Sequence, residues 1–224
     1  MPTRSDADGR LRRSFYDRPT LDVARDLLGK ALVHRRGSTV CSGTIVEVEA
    51  YIGETDPACH AAPGPTTRNA PLYGPPGYSY VYLSYGIHCL VNAVTEAEGF
   101  PAAVLIRALE PLEGIAAMRR RRARATQGRA TARPQEDHEL CRGPGNLTAA
   151  LGITLAENRI DLLGNRLFVE DRGILVTRVV RGPRIGISAG IARPWRFAIE
   201  GNPAVSKPTS SRRPVALDGP ARRE

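Results

Sequence analysis

The chain has 224 residues, 42% of them hydrophobic and 25% charged, and its 32 Lys plus Arg against 23 Asp plus Glu leave a formal net charge of +9. That length supports one well-packed domain or two small ones, and the balance is that of a soluble globular protein. No apolar run approaches the roughly 20 residues of a membrane span, and the polar start MPTRSDADGRLRRS is unlike a secretory signal, so a cytoplasmic protein is expected.

Lys30 and Lys207 are the only lysines. The positive charge is therefore almost all arginine, which forks onto phosphates and stacks on flat rings. Richness in Ala, Gly, Pro and Arg also suits a high-GC bacterial genome. Cys41, Cys59, Cys89 and Cys141 form no CxxC pair; without a secretory signal they read as reduced thiols, and no metal site is expected.

In chain order, residues 1–13 read as a flexible arm. From Ser14, helical spacing of Leu21, Val23, Ala24, Leu27 and Leu28 predicts a helix ending near Gly29. ALVHRR and STVCSGTIVEVEAYIG predict two strands joined at Gly37-Ser38. Residues 55–77, rich in Pro, Gly, Ala and Thr, predict an ordered but irregular loop. YSYVYLSYGIHCLVN, from Tyr78 to Asn92, predicts strand, tight turn and strand; AAVLIRALEP adds another strand. IAAMRRRR then opens a basic helix followed by a mobile loop, since residues 114–135 hold seven arginines and no acid. RGPGNLTAALGI predicts a glycine turn into a short helix. Strands recur at DLLGNRLFVED, ILVTRVVRG, RIGISAG and WRFAIEG, and residues 207–224 read as a disordered tail. The whole is a single α/β (α+β) domain over residues 14–206, with a mixed, largely antiparallel sheet, a few helices and a protruding β-hairpin.

Two segments carry chemistry. Alternation in TIVEVEAYIG turns Val46, Val48 and Ala50 one way and Glu47, Glu49 and Tyr51 the other. The plain reading is a pair of carboxylates facing water. The functional one is a general base, because a glutamate in a partly dry cleft beside a second carboxylate has its pKa raised and can deprotonate water near neutrality. The second segment holds four of the chain's seven tyrosines, Tyr78, Tyr80, Tyr82 and Tyr85. Strand packing accounts for Tyr78 and Tyr80. It accounts poorly for Tyr85, which lies next to Gly86 at the expected hairpin tip. A ring there suits the plug that an enzyme needs when it extrudes a base from a duplex.

EVEAY (Glu47 to Tyr51), CHA (Cys59 to Ala61), TTRN (Thr66 to Asn69), YVYLSYGIHCLVN, VLIRALEPLEG (Val104 to Gly114), GPGNL from Gly143, PRIGI and PWRFAIEGNPAVS follow one another in the chain. Together they resemble the alkyladenine (3-methyladenine) DNA glycosylases, which flip damaged purines and cut the N-glycosidic bond. The resemblance covers residues 14–206 and implies a bacterial member acting on double-stranded DNA with no cofactor; a monomer is the simplest expectation. It implies Glu49 as the base that activates water and Arg107 near the flipped nucleotide and that water. Tyr51, His60 and Tyr82 would be pocket walls, Asn92 the group that rejects guanine, and Tyr85 the wedge inserted into DNA. Asn146 stands where many members carry lysine, which weakens a DNA-backbone contact there. Apart from the resemblance, the arginine run makes Arg119, Arg120, Arg121 and Arg122 candidate DNA-backbone contacts, against the plain reading of a solvated face. Hydrolysis without strand cleavage is expected, since neither lysine is suitably placed for a Schiff base. A non-catalytic nucleic-acid binder and a nucleoside or sugar hydrolase with paired glutamates remain the alternatives.

Overall fold

Strand β2 (Thr39–Ile52) organises the molecule. The computed structural model describes residues 9–125, 135–208 and 214–215. Along one edge, β2 pairs with β5 (Ala102–Glu113). Its other edge is shared: β1 (Ala31–Arg36) takes Thr39–Thr44, and β8 (Arg196–Ile199) takes Glu47–Glu49. The sheet runs β3 (Ser79–Ser84), β4 (His88–Val94), β5, β2, β8, β7 (Val179–Gly182), β9 (Pro214–Val215), while β6 (Leu167–Glu170) pairs with β1. Every pairing among these strands is antiparallel, so the expected α/β class and antiparallel character hold, without parallel pairs.

A β-bulge changes the alternation read for β2. Ile45 pairs with Leu109 and Glu47 with Ala108, which leaves Val46 as the extra residue. Val46 therefore packs in a small cluster with Ala108, Val180, Ala198, Ala204 and Val205. Val48 and Ala50 join the main core instead, with residues such as Leu27, Ile106 and Leu109. The expectation that Val46, Val48 and Ala50 share one face fails at Val46 for this reason.

The helix expected after Ser14 is two helices, α1 (Arg13–Tyr16) and α2 (Thr20–Leu27), separated around Pro19. Proline lacks an N–H and is tolerated only where a helix begins. Pro19 offers α2 no capping side chain, and Glu96 supplies one from elsewhere by accepting from the Thr20 N–H and hydroxyl. α3 (Ile115–Ala125) follows Gly114, whose φ is 76° and where a Cβ would lie 2.4 Å from the Val40 carbonyl oxygen. α4 (Pro144–Leu151) packs against α3 and β4. The mobile loop expected after α3 lies outside the described residues. No helix among those described is long and apolar enough to cross a membrane.

Four further expectations need correction. The arm expected through Arg13 packs from further back: Arg10 bridges Glu170, and Leu11 is buried in the core. In the tail expected from Lys207, the described residues are engaged: Arg196 donates to the Lys207 and Pro208 carbonyls, and Pro214–Val215 pairs with β7. RIGISAG, expected as a strand, is a loop, because Gly186 and Gly190 take φ of 76° and 64° and break the pleat. ILVTR likewise stays irregular, with β7 starting at Val179.

Glu47 ties these late segments to β2. Its Oε1 accepts from Arg107 Nε at 3.2 Å, Arg196 Nη1 at 2.9 Å and the Ser206 hydroxyl at 2.9 Å, while Oε2 accepts from the Ser206 N–H at 2.7 Å. Glu47→Ala would leave the buried Arg196 without a carboxylate and Arg107 with Glu49 alone, an expected loss of about 3–5 kcal/mol. Urea unfolding checks this; a loss within about 0.5 kcal/mol, as at an ordinary surface position, would contradict it.

Candidate active site

Strand register assembles the site. Tyr80 on β3 pairs with Asn92 on β4, Asn92 with Leu105 on β5, Leu105 with Glu49 on β2, and Glu49 with Arg196 on β8. Residues in one cross-strand row share a face, and residues two along each strand share it again. Hence Tyr82, Leu90, Ala103, Arg107 and Tyr51 gather on the same side. With the loops at residues 57–60 and 185–189 and the start of α4, they line a cavity of about 710 Å³.

Both candidate carboxylates are fully buried, at 0% exposure, which overturns the plain reading of a solvated pair. Glu49 Oε1 accepts from the Ile185 N–H at 2.7 Å, and Oε2 accepts from the Tyr51 hydroxyl at 2.9 Å and Arg107 Nη1 at 3.2 Å. Burial pushes the Glu49 pKa above its ordinary value. The Arg107 charge, the Ile185 N–H and the Tyr51 hydroxyl oppose that shift, and Glu47 adds to it. Glu49 itself does not line the cavity, but all three of its hydrogen-bond partners do. A water reaching this carboxylate has to come in among Tyr51, Arg107 and Ile185. The ionised form is both disfavoured and poised to accept a proton, which is what a general base needs. Arg107 joins the two acids, with Nε on Glu47 and Nη1 on Glu49.

The aromatic wall is continuous. Tyr82 stacks on Tyr80 with centroids 5.2 Å apart, and His60 meets the Tyr82 ring edge-on at 4.4 Å. His60 Nδ1 and the Tyr80 hydroxyl share a hydrogen bond of 2.9 Å. Burial lowers the His60 pKa, with the Arg68 charge acting the same way, and pushes the Tyr80 and Tyr82 phenols up to about 12. The wall is therefore neutral near pH 7. Asn92 lines the cavity and donates from Nδ2 to the Tyr80 carbonyl at 2.9 Å. Tyr80, assigned from sequence to strand packing alone, is a wall residue as well.

Tyr85 and Gly86 turn the hairpin with φ of 50° and 70°, and Ile87 N–H donates to the Ser84 carbonyl. Two successive positive φ values match the twist of the flanking strands. Tyr85 is 90% exposed and Ile87 73%, yet Tyr85, Ser84 and His88 line the same cavity as Tyr51 and Arg107. The opposite bank is the start of α4. Gly145 there lies so close to His88 that a Cβ would fall 2.9 Å from the ring.

The basic helix does less than its composition suggests. Arg121 donates to the Ala150 carbonyl at the far end of α4, and Arg122 is buried. Arg119 and Arg120 are exposed, but Arg119 pairs with Asp137. None of the four lines the cavity, and two of the four face inward as structural groups. Asn146 does line it, with Nδ2 donating to the Arg142 carbonyl. Sequence reading also passed over Ile185, and over the buried pair Asp56–Arg184 behind Tyr51. PRIGI was visible as a block but carried no residue role. Among the described residues, no three His, Cys, Asp or Glu side chains are grouped to hold a metal ion.

A family model described as methylpurine-DNA glycosylase (MPG) matches residues 14–203. A protein of Methanocella arvoryzae, provisionally named a 3-methyladenine DNA glycosylase, is 50% identical over 201 residues, spanning 88% of this chain and 96% of its own. One from Bradyrhizobium diazoefficiens with the same provisional name is 48% identical over 198 residues, 88% and 91% of the two chains. A third, from Burkholderia lata, is 44% identical over 205 residues, 90% and 93%.

Carboxyl titration by NMR should place Glu49 above the ordinary glutamate range. Arg107→Met should move it higher still, because the charge that favours the ionised form is gone. A Glu49 that titrates at or below the ordinary value would contradict this account of the site.

Proposed function

Because the chain belongs to the methylpurine-DNA glycosylase family, we propose that it excises damaged purines from double-stranded DNA by hydrolysis at C1′. The reading rests on one observation: a single cavity reaches from the exposed Tyr85 ring, past Tyr82 and His60, to the partners of Glu49. Tyr85 enters the duplex and fills the space left by the extruded nucleotide. The flipped base lies against Tyr51, Tyr82 and His60, and Asn92 limits which edge fits. Glu49 takes a proton from water as the oxygen attacks C1′. The glycosidic bond breaks, its electron pair leaves with the purine, and an abasic sugar remains. The Glu49 charge also favours positive charge developing on the sugar, as carboxylates do in sugar hydrolysis. Arg107 holds Glu49 and that water in register.

Purines alkylated at N3 or N7 are cationic and leave readily, so positioning supplies most of the catalysis. The proposed range includes 3-methyladenine, 7-methylguanine, hypoxanthine and ethenoadenine. The reaction stops at the abasic site. Lys30 is paired with Asp171, Lys207 is exposed, and neither lines the cavity, so no lysine amine is offered to the sugar.

Single-turnover excision from duplexes carrying each lesion tests the reaction. Glu49→Gln should bind lesion DNA much as wild type does while excision falls by about two orders of magnitude or more. Equal loss of both would remove Glu49 from the base role, and a covalent adduct trapped with borohydride would disprove the hydrolytic limit. Tyr85→Ser should weaken binding to lesion DNA by about tenfold, given the worth of one stacked ring, with an unchanged melting temperature. Unaltered lesion affinity would exclude the wedge.

A further inference from the structure

The ring of Tyr51 has a cation on its back. The guanidinium carbon of Arg184 lies 4.6 Å from the ring centroid. Tyr51 lines the cavity and Arg184 does not, so the guanidinium does not stand between that ring and the cavity. This guanidinium is completely buried. Asp56 grips it with bonds of 2.5 and 2.7 Å, and its Nη1 also donates to the Ala50 carbonyl at 2.9 Å. The Trp195 ring, with its centroid 5.2 Å away, completes the enclosure. The Asp56 carboxylate balances the charge of the pair, but the group set against the Tyr51 ring is the guanidinium.

We infer that Arg184 is a specificity-determining positioning residue, acting through Tyr51 to shift the pocket toward uncharged damaged purines and away from cationic N3- and N7-alkylated ones. The inference rests on the reading of Tyr51 as a wall for the flipped base. An aromatic face attracts cations through its negative quadrupole. A cation held on one face draws electron density toward itself and leaves the opposite face less attractive to a second cation. Direct repulsion between the guanidinium and a charged purine across the ring adds to this, and in a dry interior such repulsion is poorly screened. A neutral purine stacks on the same face without either cost.

The test is the ratio of single-turnover excision rates for a cationic lesion, 7-methylguanine or 3-methyladenine, and a neutral one, hypoxanthine or ethenoadenine. Two variants move the charge in opposite senses. Asp56→Asn with Arg184→Gln removes both buried charges together and should raise the cationic-to-neutral ratio by about 3- to 10-fold. Asp56→Asn alone keeps the guanidinium, strips its counter-charge and should lower the ratio. If the double variant fails to fold, the single variant decides. Damage to packing alone slows both lesions alike and leaves the ratio where it was; that result, or shifts in the same direction for both variants, overturns the inference. A wild-type protein that releases none of these bases defeats the glycosylase reading first, and this inference with it.

Discussion

The site depends on Arg107 standing between two acids that have no contact with water. Two carboxylates two residues apart on one strand face, both fully buried, would repel each other and stay protonated without a cation to join them. Arg107 supplies that cation, with one nitrogen on each. The two acids then part in character according to what else touches them. Glu47 receives Arg196 and both donors of Ser206, and every one of those contacts fastens the C-terminal segments to β2. Glu49 receives Tyr51 and Ile185, which border the cavity. One glutamate holds the fold, and its neighbour is left where chemistry can reach it.

The irregular segments form a second tier. The loop after β2 and the loop at residues 183–190 are joined through Asp56 and Arg184, while Asn69 closes the first loop on itself by donating to the His60 and Gly64 carbonyls. His60 and Ile185 thus sit in loops tied down by buried side chains. Backbone with few sheet partners can line the cavity because buried side chains satisfy its polar groups.

Much of this was readable in the sequence. Alternation put Glu47, Glu49 and Tyr51 on one side of β2, and the four-tyrosine stretch gave both strands and the turn. Burial of the glutamates was not readable, because their cover comes from residues 183–206, more than 130 positions away, in a stretch whose own alternation suggested a strand. The bulge at Val46 left no mark either, since valine suits either face. In α3, four successive arginines hide which side packs inward, and only tertiary contact shows Arg121 capping α4 and Arg122 in the interior. The break between α1 and α2 was missed too, although Pro19 marks it.

The reversal at Tyr85 and Gly86 has a practical consequence. A Cβ built on Gly86 would meet nothing beyond its chain neighbours within 4 Å, and Tyr85 is 90% exposed at the cavity mouth. The tip thus has room for a different side chain. A fluorescent amino acid installed at residue 85 would leave the core undisturbed and report, through its own quenching, whether the hairpin end meets a stack of bases.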